Sequence, residues 1–200
     1  LHPRVRRQRQ MCIRDRNKTD RRVVKTRESI RKAFLHLIQI KDFQQITVTE
    51  LAEAANIDRK TFYLHYNSTA DVLKEFETEL EGKVSLLLHK NSSFDIHSFF
   101  QGLNIIMMED IGVYRRISET NSYSFLKTAC KDILKATIKE SFYKESGMTS
   151  EKFNVYAEYI SSGIIGIYTG WLTSNSGISL EELTDTAKDA VLRGWSQIVK

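Results

Sequence analysis

Proline and cysteine are scarce in this sequence. Its one proline is Pro3, so residues 4–200 lack the strongest helix breaker, and abundant Leu, Ile, Lys and Glu then predict an all-α fold. The two cysteines, Cys12 and Cys130, are far apart, and neither belongs to a pair with metal-ligand spacing. This argues against a disulfide scaffold or a zinc site and fits a protein in the reducing cytosol.

Patterns for secretion, membrane insertion and catalysis are also missing. No apolar run follows the arginines at the start, so a signal peptide is not expected. Residues 159–180 carry no charge, but their apolar part, residues 160–172, is short and contains Ser and Gly, which predicts a buried helix rather than a membrane span. The histidines form no metal-binding pair, and there is no phosphate-binding glycine loop or nucleophile elbow. We therefore expect no enzyme activity, catalytic residue, metal or cofactor, and a cytoplasmic protein without membrane association.

The net charge of +5 is unevenly distributed along the chain. Residues 1–16 hold six Arg and one Asp, so the remaining residues sum to zero. Within that remainder, residues 17–66 have ten basic and six acidic side chains, and residues 67–200 carry an excess of four acidic ones. This asymmetry favours an N-terminal part that faces DNA and an acidic body.

The first sixteen residues differ in composition from the rest. They are mostly Arg and Gln without an apolar period, and Met11–Arg16 resembles a translated sequencing-adapter remnant. We interpret residues 1–16 as a non-native leader outside the fold. The alternative is a genuine basic arm that reaches into a DNA groove.

Apolar spacing and capping residues predict a succession of helices. Ile30, Ala33, Phe34, Leu37 and Ile38 recur at three- and four-residue intervals and indicate a first amphipathic helix. The helices predicted in this way cover about residues 22–41, 47–56, 58–66, 68–90, 94–110, 113–118, 124–144, 151–173 and 180–199.

Residues 47–66 have the pattern of a helix-turn-helix. Thr47 and Glu50 have the spacing of a capping box at a helix start. Leu51, Ala52 and Ala55 would line the first helix, Ile57 the turn and Phe62 the second helix, while Asn56 occupies the position where a positive φ is needed. Two short helices that cross steeply are therefore predicted here.

The second of these helices is predicted to present a polar face to solvent. With Phe62 inward and about 100° per residue, Lys60 and Leu64 point away from the core. Thr61 and Tyr63 lie to the sides, and Arg59 and His65 lie nearer the packed face. Such groups suit base edges, thymine methyls and phosphates. The alternative is a purely structural motif in which His65 is a satisfied polar residue and Lys60 a solvated one.

The segment 26–80 resembles the TetR/AcrR family of transcription regulators. The resemblance is carried by Ile46-Thr47-Val48, by Leu51–Ala55, and by Lys60–Tyr66 running into Asp71-Val72-Leu73. Residues 163–172 with the helix at 180–195 more weakly resemble the body of the Firmicutes type. The resemblance implies a helix-turn-helix domain at residues 22–82 and a helical regulatory and dimerisation domain at residues 83–200.

The resemblance also implies roles for individual residues. Phosphate contacts would fall to Thr47, Thr49, Tyr63, His65 and Tyr66, and base contacts to Arg59, Lys60, Thr61 and Leu64. One position departs from the family pattern: Thr69 stands where a phosphate-binding Lys is common, which should weaken binding without changing sequence preference.

The body offers candidates for a ligand cavity, as in the family. These are Phe99, Leu103, Met107, Phe125, Tyr159 and Trp171. The alternative is that aromatic and Met residues at helical spacing simply form core.

Two late stripes predict a homodimer with a four-helix interface. The first comprises Phe153, Tyr156, Ile160, Gly163, Ile164, Ile167 and Trp171, and the second Leu183, Ala187, Ala190, Val191, Gly194, Trp195 and Ile198. The alternative is that both stripes pack inside one monomer.

We therefore expect a homodimeric repressor that binds a double-stranded DNA operator and is released by a small-molecule effector. Two alternatives stay open. One is a coactivator or adaptor of the same fold that acts through a protein partner, and the other is an architectural DNA binder without a ligand.

Overall fold

The computed structural model describes residues 3–89, 95–174 and 177–195, and the side chains of residues 21–87, 95–174 and 177–193. Within these ranges the chain forms nine α-helices and two short 3-10 turns and no β-strand, which confirms the all-α prediction. The residues form two compact units, Leu1–Leu73 and Lys74–Lys200. This division and the boundary expected at residues 82 and 83 both fall within the fourth helix.

The first unit contains α1 (Pro3–Ile40), α2 (Val48–Ala54), α3 (Arg59–Tyr63) and the start of α4 (Thr69–His89), with a 3-10 turn at Phe43–Gln45 before α2. The backbone of α1 extends through residues 4–16, which were set apart from the fold on composition, and begins at Pro3. Arg and Gln are good helix formers, and no proline interrupts them.

The core of the first unit lies where α1 packs on α2 and α2 on α3. Ile30, Phe34 and Ile38 project from α1 and are fully buried, as are Leu51 and Phe62 from the next two helices. Burying side chains of this size contributes on the order of 2 kcal/mol each, an upper figure for an extended reference chain. The apolar face of α1 that the spacing predicted is thus the face buried in the core of the first unit.

The second unit contains the rest of α4 and five further helices. These are α5 (Ile96–Glu109), α6 (Ile111–Glu119), α7 (Ser124–Phe142), α8 (Ser150–Thr173) and α9 (Leu180–Trp195), with a 3-10 turn at Asn121–Tyr123. Side chains cap three of them: Asp95 accepts the His97 and Ser98 amides, Thr149 the Lys152 amide, and Ser179 the Glu182 amide. The residues predicted at 196–199 lie outside the described ones.

Three residues of the α8 stripe on which a dimer was predicted face the interior of their own chain, whereas Gly163 of that stripe is exposed. Phe153, Ile160 and Ile164 are buried in the core of the second unit. The second stripe follows the same rule, because Leu183, Ala187 and Val191 are also buried. These residues therefore pack within one monomer, and Gly194, Trp195 and Ile198 lie beyond the described side chains.

The exposed face of α8 contains Gly163 of the predicted stripe, and its other residues are different ones. Val155 and Tyr159 are 69 % and 61 % exposed. Gly163, Gly166 and Gly170 follow on the same face, and a Cβ added to any of them would meet no atom within 4 Å. This face is open and almost flat along its C-terminal half.

Among the described residues, no helix is long and apolar enough to span a membrane.

Candidate nucleic-acid interface

The start of α2 is fixed by the capping residue that the sequence indicates. Thr47 has an extended backbone, and its hydroxyl accepts the Glu50 amide at 3.3 Å. The Glu50 carboxylate accepts hydrogen bonds of 2.6 and 2.8 Å from the Lys41 ammonium. The bond to Lys41 lowers the pKa of Glu50. Lys41, which the sequence analysis did not single out, therefore ties the end of α1 to the beginning of α2.

The turn between α2 and α3 is closed by Asn56 in the left-handed conformation, with φ of 55°. The Asn56 amide donates to the Glu53 carbonyl and the Ile57 amide to the Ala52 carbonyl, both at 3.0 Å. This pair of bonds is a Schellman motif, in which asparagine takes the position usually held by glycine. The positive φ expected at Asn56 is thus confirmed.

Asp58 caps α3 and binds the side chain of Thr61. Its carboxylate accepts the Thr61 amide at 2.8 Å and the Thr61 hydroxyl at 3.1 Å. These bonds, the amide first, lower the pKa of Asp58. The helix ends at Tyr63 and not near Tyr66 as predicted, because the following amides donate to carbonyls three and four residues back in a tightened turn.

Phe62 anchors α3 in the core. Its ring is fully buried and lies 5.7 Å from the rings of both Tyr63 and Tyr66. Tyr66 is only 5 % exposed. The guanidinium of Arg27 lies 5.6 Å above the Tyr66 ring, and its Nε donates to the Tyr66 hydroxyl at 3.4 Å. Tyr66 thus braces the motif against α1.

The remaining predicted DNA contacts divide by exposure. Arg59, Lys60, Tyr63 and Leu64 are exposed and lie together on and just after α3. Leu64 is 81 % exposed and Tyr63 48 %. Thr61 and His65 are half-buried, whereas Thr47 and Thr49 are exposed at the start of α2. The structure therefore brings together two cationic side chains, a phenol and a leucine on and just after α3. Two threonine hydroxyls lie at the start of α2.

Ser68 and Asp71 open α4 with a reciprocal cap. The Asp71 carboxylate accepts the Asn67 and Ser68 amides at 2.7 and 3.2 Å, and the Ser68 hydroxyl accepts the Asp71 amide. Thr69 is half-buried at the first turn. Since a helix begins with unsatisfied amides, this cap fixes where α4 leaves the motif.

The second unit contains a partly open cavity of about 120 Å³. Its walls come from five helices and are mostly apolar. The lining residues are Leu80 and Val84 of α4, Leu103, Ile106 and Met107 of α5, Tyr114, Ile117 and Ser118 of α6, Lys127, Cys130, Ile133 and Leu134 of α7, and Ile164, Ile165, Tyr168, Thr169 and Leu172 of α8.

Two of the six residues predicted to line a ligand cavity lie at this one, Leu103 and Met107. The other four lie elsewhere: Phe99 is buried in the core against Phe100, Phe125 and Tyr159 are exposed, and Trp171 donates its ring N–H to the Ile178 carbonyl. Spacing alone did not distinguish which faces of these helices meet at the cavity.

A chain of hydrogen bonds joins α8, α5 and α9 beside the cavity. The Tyr168 hydroxyl donates to the Asn104 side-chain oxygen at 2.6 Å, and the Asn104 amide donates to the Thr184 hydroxyl at 2.7 Å. Thr184 in turn donates to the Leu180 carbonyl. Burial raises the pKa of Tyr168 to about 12 and that of Cys130 to about 11. Both groups are therefore neutral near pH 7.

Groups of three or more His, Cys, Asp or Glu side chains arranged to hold a metal ion do not occur among the described residues.

The fold is that of the TetR-family transcriptional regulators. A TetR regulator from Streptococcus agalactiae superposes with a TM-score of 0.63 and 22 % identity, over 86 % of this chain and 97 % of that one. The dihydroxyacetone kinase operon activator DhaS superposes with a TM-score of 0.60 and 22 % identity, over 88 % and 98 %. The family resemblance stated from the sequence is confirmed in the fold.

A particular relative is similar in sequence as well. The uncharacterised HTH-type transcriptional regulator YxbF of Bacillus subtilis is 30 % identical over 155 residues, which is 74 % of this chain. The chain spans 40 % of the length of that relative. No model of a known protein family matches the sequence.

Proposed function

We propose that the protein is a sequence-specific DNA-binding transcription regulator that acts as a homodimeric repressor and releases its operator when a small molecule binds. The observation that carries DNA recognition is the exposed face of α3. A leucine that is 81 % exposed beside Tyr63, Lys60 and Arg59 has no role in packing the unit. Apolar contact with a thymine methyl and charged contact with bases or phosphates would use all four.

The similarity to regulators supports this proposal. YxbF is named an HTH-type transcriptional regulator, and the solved neighbours are regulators or an operon activator. A five-residue recognition helix reads only a few base pairs. Two copies with half-sites about one helical turn apart would supply the length that specificity requires.

The exposed face of α8 is the surface that we assign to dimerisation. Gly163, Gly166 and Gly170 allow another helix to approach closely, and Val155 and Tyr159 extend the apolar area. Because Phe153, Ile160 and Ile164 of the predicted stripe are buried, the interface would use Gly163 of that stripe together with the exposed residues beside it. Helix pairs from two copies would then form a four-helix interface.

The cavity of the second unit is the site that we assign to an effector. An apolar cavity lined by five helices with a few polar groups is typical of small-molecule sites. An effector would release DNA if it prefers a dimer in which the recognition helices are wrongly separated.

The test is a selection of genome fragments by the full-length protein at near-physiological salt, with the Lys60→Ala variant in parallel. The arginine-rich residues 1–16 would bind any DNA, so competitor DNA is included to remove sequence-independent binding. Enrichment of a palindromic site by the parent and not by Lys60→Ala supports a dimeric regulator. A folded parent that enriches no site would refute the DNA-binding function and favour a protein partner. A reporter gene placed behind the recovered site decides between repression and activation.

A further inference from the structure

The described residues that line the cavity in the second unit include one cation and no anion. Lys127 is the one charged residue among its described lining residues, and none of them carries a carboxylate. The Tyr168 hydroxyl is already engaged with Asn104, and the Cys130 thiol stays protonated because burial raises its pKa to about 11. A molecule in this cavity therefore meets mostly apolar walls, a few hydroxyl-bearing residues and the side chain of one cationic residue.

Lys127 differs from the other lysines on the same side of α7. Lys131 and Lys135 each form an ion pair with Glu158, at 2.8 and 2.6 Å. Lys127 is half-buried and makes no hydrogen bond or ion pair with any residue of the described chain. A flexible four-carbon stem lets such an ammonium group turn toward an anion beside it.

The charge and the size of the cavity together define a ligand class. A cation would meet Lys127 without a counter-ion, and a dianion would leave one charge unpaired against apolar walls. A cavity of about 150 Å³ accommodates benzene in another protein, so about 120 Å³ suits a hydrocarbon body of similar or slightly smaller size. The acid group would lie at Lys127, with the body between the apolar walls.

We propose that the effector is a small monocarboxylic acid with an apolar body and that Lys127 is its counter-ion. This inference rests on the proposed function of the cavity as an effector site. It specifies which molecules enter the cavity and which residue distinguishes them from uncharged molecules of the same shape.

The experiment measures binding of matched acids and amides to the full-length protein by calorimetry. Benzoate and hexanoate are compared with benzamide and hexanamide, and benzylamine serves as the cation. We expect the parent to bind the acids at least about tenfold more tightly than the amides, as for a hydrogen bond to a charged group. Lys127→Met should remove this difference with little change for the amides, whereas Lys127→Arg should keep it.

Lys131→Met is the control. It removes the same charge at a residue that lies one helical turn from Lys127 and does not line the cavity. It should keep the preference for acids. Equal affinity of the parent for acid and amide, binding of neither, or an equal loss in Lys131→Met would overturn the inference. Operator binding is measured on the same samples. A parent that binds the operator but no acid refutes the ligand class alone, and one that binds acids but no DNA refutes the DNA-binding function alone.

Discussion

The Thr61 hydroxyl donates a 3.1 Å hydrogen bond to the Asp58 carboxylate, which also accepts the Thr61 amide. A side chain of α3, the helix that we propose faces DNA, is thus bound by the cap of that same helix. Its hydroxyl proton is not available to a base while this bond persists. We therefore infer that the main role of Thr61 is to stabilise the start of α3 rather than to contact a base.

Thr61→Val tests this assignment. It removes the hydroxyl bond and keeps the side-chain volume, so the pKa of Asp58 should rise toward its ordinary value while remaining below it, because the amide bond persists. Operator affinity should fall only modestly, by less than about threefold, compared with a lost base contact. The Asp58 pKa is followed by NMR titration. Thr61→Ser is the control and should leave both quantities near those of the parent.

The exposed Leu64, which directly follows α3, allows a sharper test of DNA recognition. Leu64→Ala should weaken specific operator binding by roughly tenfold, because it removes an apolar contact to a base edge. Leu86 is also highly exposed, at 68 %, but lies on α4 outside the motif. Leu86→Ala should leave the affinity unchanged. Fluorescence anisotropy with the recovered operator measures both, and equal losses would mean that Leu64 does not face DNA.

Asn56 should show a backbone effect on stability. Alanine at this position must adopt φ near 55°, which costs about 1 kcal/mol or more, so Asn56→Ala should lower the free energy of unfolding by about that amount. Glycine adopts the conformation freely, so Asn56→Gly should change it by less than about 0.5 kcal/mol. Urea titration followed by circular dichroism gives both values. Similar losses in the two variants would point to a role for the Asn side chain instead.

Glu158 should make the stability of the second unit depend on pH in the acidic range. Hydrogen bonds from Lys131 and then Lys135 lower its pKa from 4.5 to about 2. The carboxylate therefore stabilises the fold above about pH 4.5, and this contribution is lost as the pH falls toward 2. Glu158→Gln should lower the Tm at pH 7, and its difference from the parent should vanish near pH 2.

The matched control for this prediction is Glu140→Gln. Glu140 is exposed on α7 and has no hydrogen bond or ion pair within the described chain. Its substitution should leave the dependence of Tm on pH as in the parent. If the parent and Glu158→Gln differ equally at pH 7 and pH 2, the ion pairs with Lys131 and Lys135 do not stabilise the helices.

The dimer surface is tested by placing a large charge on α8. Gly166 faces open space, so Gly166→Arg should fold as a monomer but fail to dimerise and lose specific operator binding. Gly82 on α4 has the same open surroundings, and Gly82→Arg should remain dimeric. Sedimentation measures the oligomeric state of both. A dimeric Gly166→Arg would exclude this face of α8 as the interface.

The sequence predicted the local structure well, because local signals determine it. Thr47, Asp58 and Ser68 cap helices where their neighbours provide free amides, and Asn56 tolerates the conformation that closes the turn. The lengths of two helices were exceptions, because α1 begins at Pro3 rather than near residue 22, and α3 ends at Tyr63. The last predicted residues of α3 form a tightened turn around Phe62, which depends on how that ring is buried.

The positions of aromatic residues could not be predicted in the same way. Tyr66 is buried because Arg27 covers its ring, and those two residues are separated by most of the first unit. On α8 both faces carry apolar residues, Phe153 and Ile160 on one and Val155 and Tyr159 on the other. Only the packing of α6, α7 and α9 against α8 decides which face becomes core.

The short length of α3 has a consequence for how the protein loses activity. A five-residue helix makes too few hydrogen bonds to offset the cost of its first turn, so it would not persist in isolation. α3 stays folded only while Phe62 is buried in the core and the turns before and after the helix keep their hydrogen bonds. The surface proposed to read DNA thus has no independent melting transition. Heat should therefore abolish operator binding and unfold the first unit together, with no partly folded form that retains recognition.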